Sequence, residues 1–151
     1  ELITETGHLK LDRVGYSSLA YPFAYGCIPR TWDEDGDPLD IEIVSVTEPL
    51  IPGSIVEARI IGVMKFDDGG EVDDKVIAVL SDDKRVEHIK SFEDLGPHWI
   101  KETTYYWEHY KDLKKPGTCK VNGFLGIEAA IKVIEDCEER YKKDIEPNLI
   151  D

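Results

Sequence analysis

The run Asp35-Gly36-Asp37-Pro38-Leu39-Asp40-Ile41-Glu42-Ile43-Val44-Ser45-Val46 sets three carboxylates within six residues and then alternates apolar and polar side chains. Asp35 and Asp37 are two apart, so in extended backbone they point to the same side. Gly36 and Pro38 shape a turn that brings Asp40 back toward them. Three converging anionic groups repel one another unless a cation lies between them. A carboxylate set with no His or Cys in the run suits a hard ion, Mg²⁺ or Mn²⁺, rather than zinc or copper. Two other readings compete: a solvated acidic turn, and a calcium loop whose first three positions Asp33, Asp35 and Asp37 mimic. The calcium loop fails further on, because its sixth position, a glycine, is Pro38 and its twelfth, a glutamate, is Val44. The alternation over 41–46 is that of a strand, not of the helix that closes such a loop.

A second acidic cluster, Asp67, Asp68, Glu71, Asp73 and Asp74 around Gly69 and Gly70, lies between two strand-like runs and reads as a hairpin tip. Such tips are ordinarily just solvated, but this one leads into Lys75, which opens a strand directly behind a carboxylate pair. Arg13, Tyr21, Tyr25, Tyr110 and Lys111 are the remaining candidates. Singly, the two basic residues read as a surface charge and a last-turn lysine, and Tyr21 and Tyr25 as half-buried aromatics. Together they supply what a phosphate substrate of a carboxylate-held metal requires on its far side.

With 151 residues and 41% hydrophobic content, the chain is expected to form one domain over 1–151 with a substantial core. No apolar run has membrane-span length and no secretory signal opens it. Three cysteines without a Cys-x-x-Cys point to reduced thiols and a cytoplasmic setting. The net charge of −14 argues against a nucleic-acid partner, whose phosphates are met by Lys and Arg. Strands are predicted near 9–14, 41–46, 55–64, 75–80 and 118–124. One helix is predicted from about Pro97 to Leu113, with Ile100, Thr103, Thr104 and Trp107 on one face. A second is predicted from about Gly126 to Lys142, burying Ala130, Val133, Ile134, Cys137 and Tyr141.

The chain resembles the family I soluble inorganic pyrophosphatases. The resemblance rests on the Asp-x-Asp-Pro-x-Asp run at 35–40, Tyr21-Pro-x-x-Tyr25-Gly, Gly62-Val-Met-Lys65, Gly70-Glu-Val-Asp73-Asp-Lys75 and Glu108-His-Tyr110-Lys111-Asp-Leu, in the family's order over nearly the whole chain. It implies an α+β, mainly β fold: a small five-stranded closed (OB-like) barrel flanked by two C-terminal helices, with the acidic clusters at its mouth. It also implies Mg²⁺-dependent hydrolysis of pyrophosphate to two orthophosphates by direct attack of a metal-bridging water. By the same resemblance Asp35, Asp40 and Asp73 hold one Mg²⁺, Asp40 reaches a second, and Asp68 with Asp73 holds a further ion. Asp37 is the general base or orienting group, and Tyr25 a catalytic hydrogen-bonding residue near the metals. Glu1, Arg13, Lys75, Tyr110 and Lys111 face substrate and product phosphate.

Further expectations follow from the resemblance. The family carries a segment before the position of Glu1, with a phosphate-binding lysine and a glutamate that have no counterpart here, so roughly 15–25 more residues are expected upstream. A homo-oligomer is implied, a hexamer rather than a dimer because little chain follows Asp144. The alternatives are a phosphohydrolase of another substrate, for which no base-stacking or ribose-binding motif is visible, and a non-catalytic acidic cation-binding protein, which has no use for Arg13, Lys75 and Lys111.

Overall fold

Eight strands and two long helices make up the computed structural model, which describes residues 2–3 and 5–149. β3 (Ala24–Cys27), β4 (Asp40–Ile43), β5 (Ala58–Asp68), β6 (Glu71–Val72), β7 (Lys75–Leu80) and β8 (Cys119–Leu125) form a six-stranded sheet. Its order is β3-β4-β7-β5-β6, with β8 on β5; β4 and β7 are parallel and the other pairs antiparallel. β1 (Leu2–Ile3) and β2 (His8–Leu9) form a separate small ladder.

Two expectations are corrected. Among the described residues no pairing joins β3 to β8, so the sheet is open rather than a closed five-stranded barrel. Closure requires the outer strands to bond each other. The four-residue β3 uses one edge on β4, and its Tyr25, Gly26 and Cys27 stay exposed. The strand predicted at 9–14 ends at Leu9: Leu11 and Val14 are 77% and 71% exposed, so their apolar alternation has no surface to cover.

Strand β7 lies at the centre of the fold, and successive side chains on it point to opposite faces. Ile77 and Val79 join Phe23, Phe66, Tyr106 and Trp107 on one face, while Val76 joins Leu39 and Cys137 on the other. The first face is covered by α1 (Phe92–His109), the second by α2 (Ile127–Asp144). α1 opens on a capping box of Ser91 and Asp94, breaks at Gly96 (φ 80°) and continues from Pro97, where the sequence places its start. Thr103, Tyr106 and Trp107 are buried along it, with Ile100 and Thr104 half-buried. α2 follows its N-cap Gly126 and buries Ala130 and Cys137, while Val133, Ile134 and Tyr141 are half-buried. Irregularities at Ile60/Gly62 and Lys65/Phe66 let the long β5 change partners along its length. Gly62 is required there: a Cβ would lie 2.3 Å from Phe92 and 2.5 Å from the Leu125 carbonyl. None of the described helices is long and apolar enough to cross a membrane.

Candidate functional site

Lys75 opens β7 and is 1% exposed. A buried ammonium without counter-charge is costly, and this one donates to Asp40 Oδ2 at 2.5 Å and to Asp73 Oδ1. Register explains the meeting. Cys27, Asp40 and Lys75 lie side by side across β3, β4 and β7, and Asp73 sits two residues before Lys75 in the turn from β6. The Tyr25 hydroxyl donates to the same Asp40 oxygen. Aromatic rings wall in the ammonium, with Trp107, Phe66 and Tyr25 centred 5.1, 5.5 and 6.0 Å from Nζ.

The electrostatics follow from this crowding. Burial pushes the Asp73 carboxyl up to about 6; the Lys75 charge opposes this, and the charges of Asp40 and Asp35 add to it. Burial alone would lower the Lys75 ammonium, but Asp40 and Asp73 overturn that and hold it above its ordinary value. Asp35 is raised, chiefly by burial, with the Asp33 and Asp37 charges contributing. Tyr25 is raised by burial and by the Asp40 carboxylate.

The acidic turn is fixed from below. Gly36 takes φ 89°, the Asp33 N–H donates to the Asp37 carbonyl at 2.7 Å, and the Asp37 N–H donates to Asp35 Oδ1 at 3.1 Å. Thr31 Oγ1 accepts from the Leu39 N–H at 3.0 Å and donates to the Ile28 carbonyl at 2.6 Å. α2 grips the segment, since the Trp32 N–H donates to the Cys137 carbonyl at 3.0 Å and Arg140 Nη1 donates to the Trp32 carbonyl at 2.6 Å. Asp35 and Asp37 are left exposed at the tip.

A second group forms where β5 ends. Lys111, just past α1, donates to Asp68 Oδ2, and Cys119 Sγ at the start of β8 lies 3.5 Å from Asp68 Oδ1. Burial pushes the Asp68 carboxyl up, but Lys111 outweighs it and holds the group below the usual carboxylate range. Lys111 also lies 5.1 Å from the ring of Tyr110, a half-buried residue whose hydroxyl is raised by burial and by Asp68. Arg13 is exposed and paired with Asp12. The charges of Arg13 and Lys111 both act on Tyr16, whose hydroxyl accepts from Lys114 Nζ at 2.7 Å.

The structure thus joins Tyr25, Asp40, Asp73 and Lys75 in one cluster, and Asp68, Tyr110 and Lys111 in another. Asp35 is coupled electrostatically to the first. Glu1 lies outside the described residues. In this arrangement the Lys75 ammonium, not a third carboxylate, sits between Asp40 and Asp73. Among the described residues no three Asp, Glu, His or Cys side chains enclose an ion-sized space. The donor chemistry nonetheless fits a divalent cation: the ligands on offer are carboxylates, and two of them, Asp40 and Asp73, share the single charge of Lys75.

Two residues have contacts that the sequence reading did not assign. Glu42 is fully buried, accepts from Trp107 Nε1 at 2.6 Å and leaves its second oxygen without a partner among the described residues. Burial pushes its carboxyl up to about 8 against the pull of the Trp107 hydrogen bond and Lys75. The signal was present, since Glu42 is two residues from Asp40 on the same face of a strand, but alternation marks a polar residue as solvent-facing. Asp74, 3% exposed, pairs with Lys65 and accepts from the Phe66 N–H at 3.2 Å, which ties the hairpin turn to β5.

Residues 1–142 match the sequence model of the family described as inorganic pyrophosphatase. The inorganic pyrophosphatase of Neisseria meningitidis serogroup B is 48% identical over 135 residues, covering 89% of this chain and 76% of that protein. That of Geobacillus stearothermophilus is 42% identical over 143 residues, covering 95% and 86%. The crystal structure of an inorganic pyrophosphatase from Neisseria gonorrhoeae superposes with a TM-score of 0.87 at 45% identity, covering 94% of this chain and 82% of the other.

Proposed function

The chain belongs to the inorganic pyrophosphatase family, divalent-metal enzymes that hydrolyse pyrophosphate, and from that premise we propose that it works with Mg²⁺ and with the residue roles set out here. The observation that carries the assignment is the buried Lys75, a fixed cation bonded by the two carboxylates of Asp40 and Asp73.

Asp35, Asp40 and Asp73 would hold Mg²⁺, with Asp68 available to a further ion. When bound, the metal would lower the pKa of coordinated water and neutralise the phosphate oxygens. Asp37, exposed at the tip of the turn and held by the backbone of Asp33, accepts the proton of the attacking water. The water oxygen forms a bond to one phosphorus, the bridging P–O bond breaks, and the second phosphate leaves with the bridging oxygen. Lys75 and Lys111, with the Tyr110 hydroxyl and Arg13, bind the phosphoryl oxygens and offset charge building on the leaving group. Tyr25 holds Asp40 in orientation through its hydroxyl. Glu1 keeps its place among the substrate-facing residues by resemblance. The molecule is read as a cytoplasmic homo-oligomer, hexameric before dimeric: its three cysteines are free thiols, and the assembly rests on the resemblance.

Phosphate release measured on pyrophosphate and on ATP, each with Mg²⁺ and with excess chelator, tests the reading. Hydrolysis of pyrophosphate far faster than of ATP, abolished by chelation, is expected. Equal rates on the two substrates would point to a broader phosphohydrolase. Cation binding without turnover would leave only an acidic binding protein.

A further inference from the structure

Glu42 breaks the pattern of its surroundings. It is 0% exposed on the central sheet, between Ile41 and Ile43, and its neighbours across the sheet are Tyr25 and Ile77. A buried polar group with an unsatisfied atom carries a desolvation cost, so leucine would serve packing here at least as well. A sequence that keeps a carboxylate in such a place violates a local folding rule, and violations of that kind gather at functional sites. Among the described residues only one oxygen of Glu42 finds a partner, the indole N–H of Trp107, 2.6 Å away.

Trp107 connects Glu42 to the site. Its ring is centred 5.1 Å from Lys75 Nζ, and the rings of Phe66 and Tyr25 lie 5.1 and 5.9 Å from its own. A lysine stem has several rotatable bonds and its ammonium has no preferred plane, so the direction of Lys75 depends on the walls around it. Asp40 and Asp73 pull the ammonium toward themselves. The Trp107 ring supplies the opposing surface, electrostatically attractive to a cation. Core packing confines the Trp107 ring, and Glu42 fixes the direction of its N–H within that packing.

We propose that Glu42 is a positioning residue for substrate binding: through the Trp107 indole it fixes the wall that aims Lys75 at the phosphoryl oxygens. The inference rests on the reading of Lys75 as a phosphate-binding group. Glu42 touches no reacting atom, so its loss acts on affinity and leaves proton transfer at Asp37 intact.

Steady-state kinetics on Glu42→Leu, Glu42→Gln and Trp107→Phe test this, with pyrophosphate as substrate at saturating Mg²⁺ and thermal unfolding as the folding control. Glu42→Leu and Trp107→Phe should each raise KM about 2- to 30-fold, the span of a cation–ring contact, with kcat changed far less. Glu42→Gln keeps an acceptor for the indole and should recover most of the affinity. The Leu/Phe double variant should be no worse than the poorer single one, because both cut the same connection. In a Lys75→Met background Glu42→Leu should no longer move KM. If Glu42→Leu does not fold, Trp107→Phe, which keeps an aromatic ring and removes only the indole donor and its second ring, carries the test alone. An unchanged KM in folded Glu42→Leu or Trp107→Phe, or kcat falling in step with KM in all three variants, would overturn the proposal. A wild-type protein that fails to hydrolyse pyrophosphate would instead overturn the reading of the site itself.

Discussion

Asp37 owes its exposure to the turn beneath it: with Gly36 at φ 89° and the Asp37 carbonyl bonded to the Asp33 N–H, its carboxylate is held out from the sheet. A group so placed contributes through its proton affinity and not through packing. Asp37→Asn is therefore expected to lower kcat by about 10²–10⁴ with the melting temperature unchanged, as read by phosphate release and thermal unfolding on one sample. Near wild-type turnover would make Asp37 a structural residue of the turn. Cys137 behaves oppositely. It is 1% exposed and its thiol donates toward Asp33 Oδ1, so burial first and the Asp33 charge second push it from 9 up to about 12. Below pH 9 the thiol is neutral in both folded and unfolded chains and its contribution is intact. Between 9 and about 12 only the unfolded chain ionises, so that contribution is lost as pH rises. Denaturant titrations from pH 8 to 10.5 should show a shallower decline in Cys137→Ala than in the wild type. Parallel declines would mean the thiol does not couple to folding.

At the scale of elements, the acidic turn is an attachment of α2 as much as of the sheet. Arg140 donates to the Trp32 carbonyl at 2.6 Å and lies 3.4–3.5 Å from Asp33 and Glu34. Arg140→Ala removes a charge-assisted hydrogen bond and leaves that carbonyl unpaired, a cost of about 1.5–3 kcal/mol. The expected result is a lower melting temperature together with weaker metal affinity, because the turn carrying Asp35 loses its support. A variant that melts earlier but binds Mg²⁺ as tightly as the wild type, by calorimetry, would show the grip to be structural alone.

The whole molecule carries a net charge of −14 and binds a polyanionic substrate. Repulsion on that scale is relieved locally, by cations at the site, and not by the average surface. A metal that binds the folded chain and not the unfolded one stabilises it by about 2.7 kcal/mol at a hundredfold excess over Kd, or roughly 5–10 °C in melting temperature for a protein of this size. Mg²⁺ should produce that rise, and NaCl at matched ionic strength should give much less. Equal shifts from both salts would reduce the effect to general screening.

The sequence by itself marked most of the residues of the candidate site. Asp35, Asp37, Asp40, Asp68, Asp73 and Lys75 stand in short runs whose glycines, proline and strand alternation restrict the local backbone, and local backbone is what sequence patterns encode. The β7 strand and the start of helical structure at Pro97 were legible for the same reason. Tertiary structure alone decided three things. It left the sheet open at β3, because closure depends on strands distant in sequence. It set Lys75 between Asp40 and Asp73, since the β4–β7 register joins residues 35 positions apart. It turned Glu42 from a solvent-facing residue of an alternating strand into a buried partner of Trp107, because which face of a strand meets water depends on the helix that packs over it.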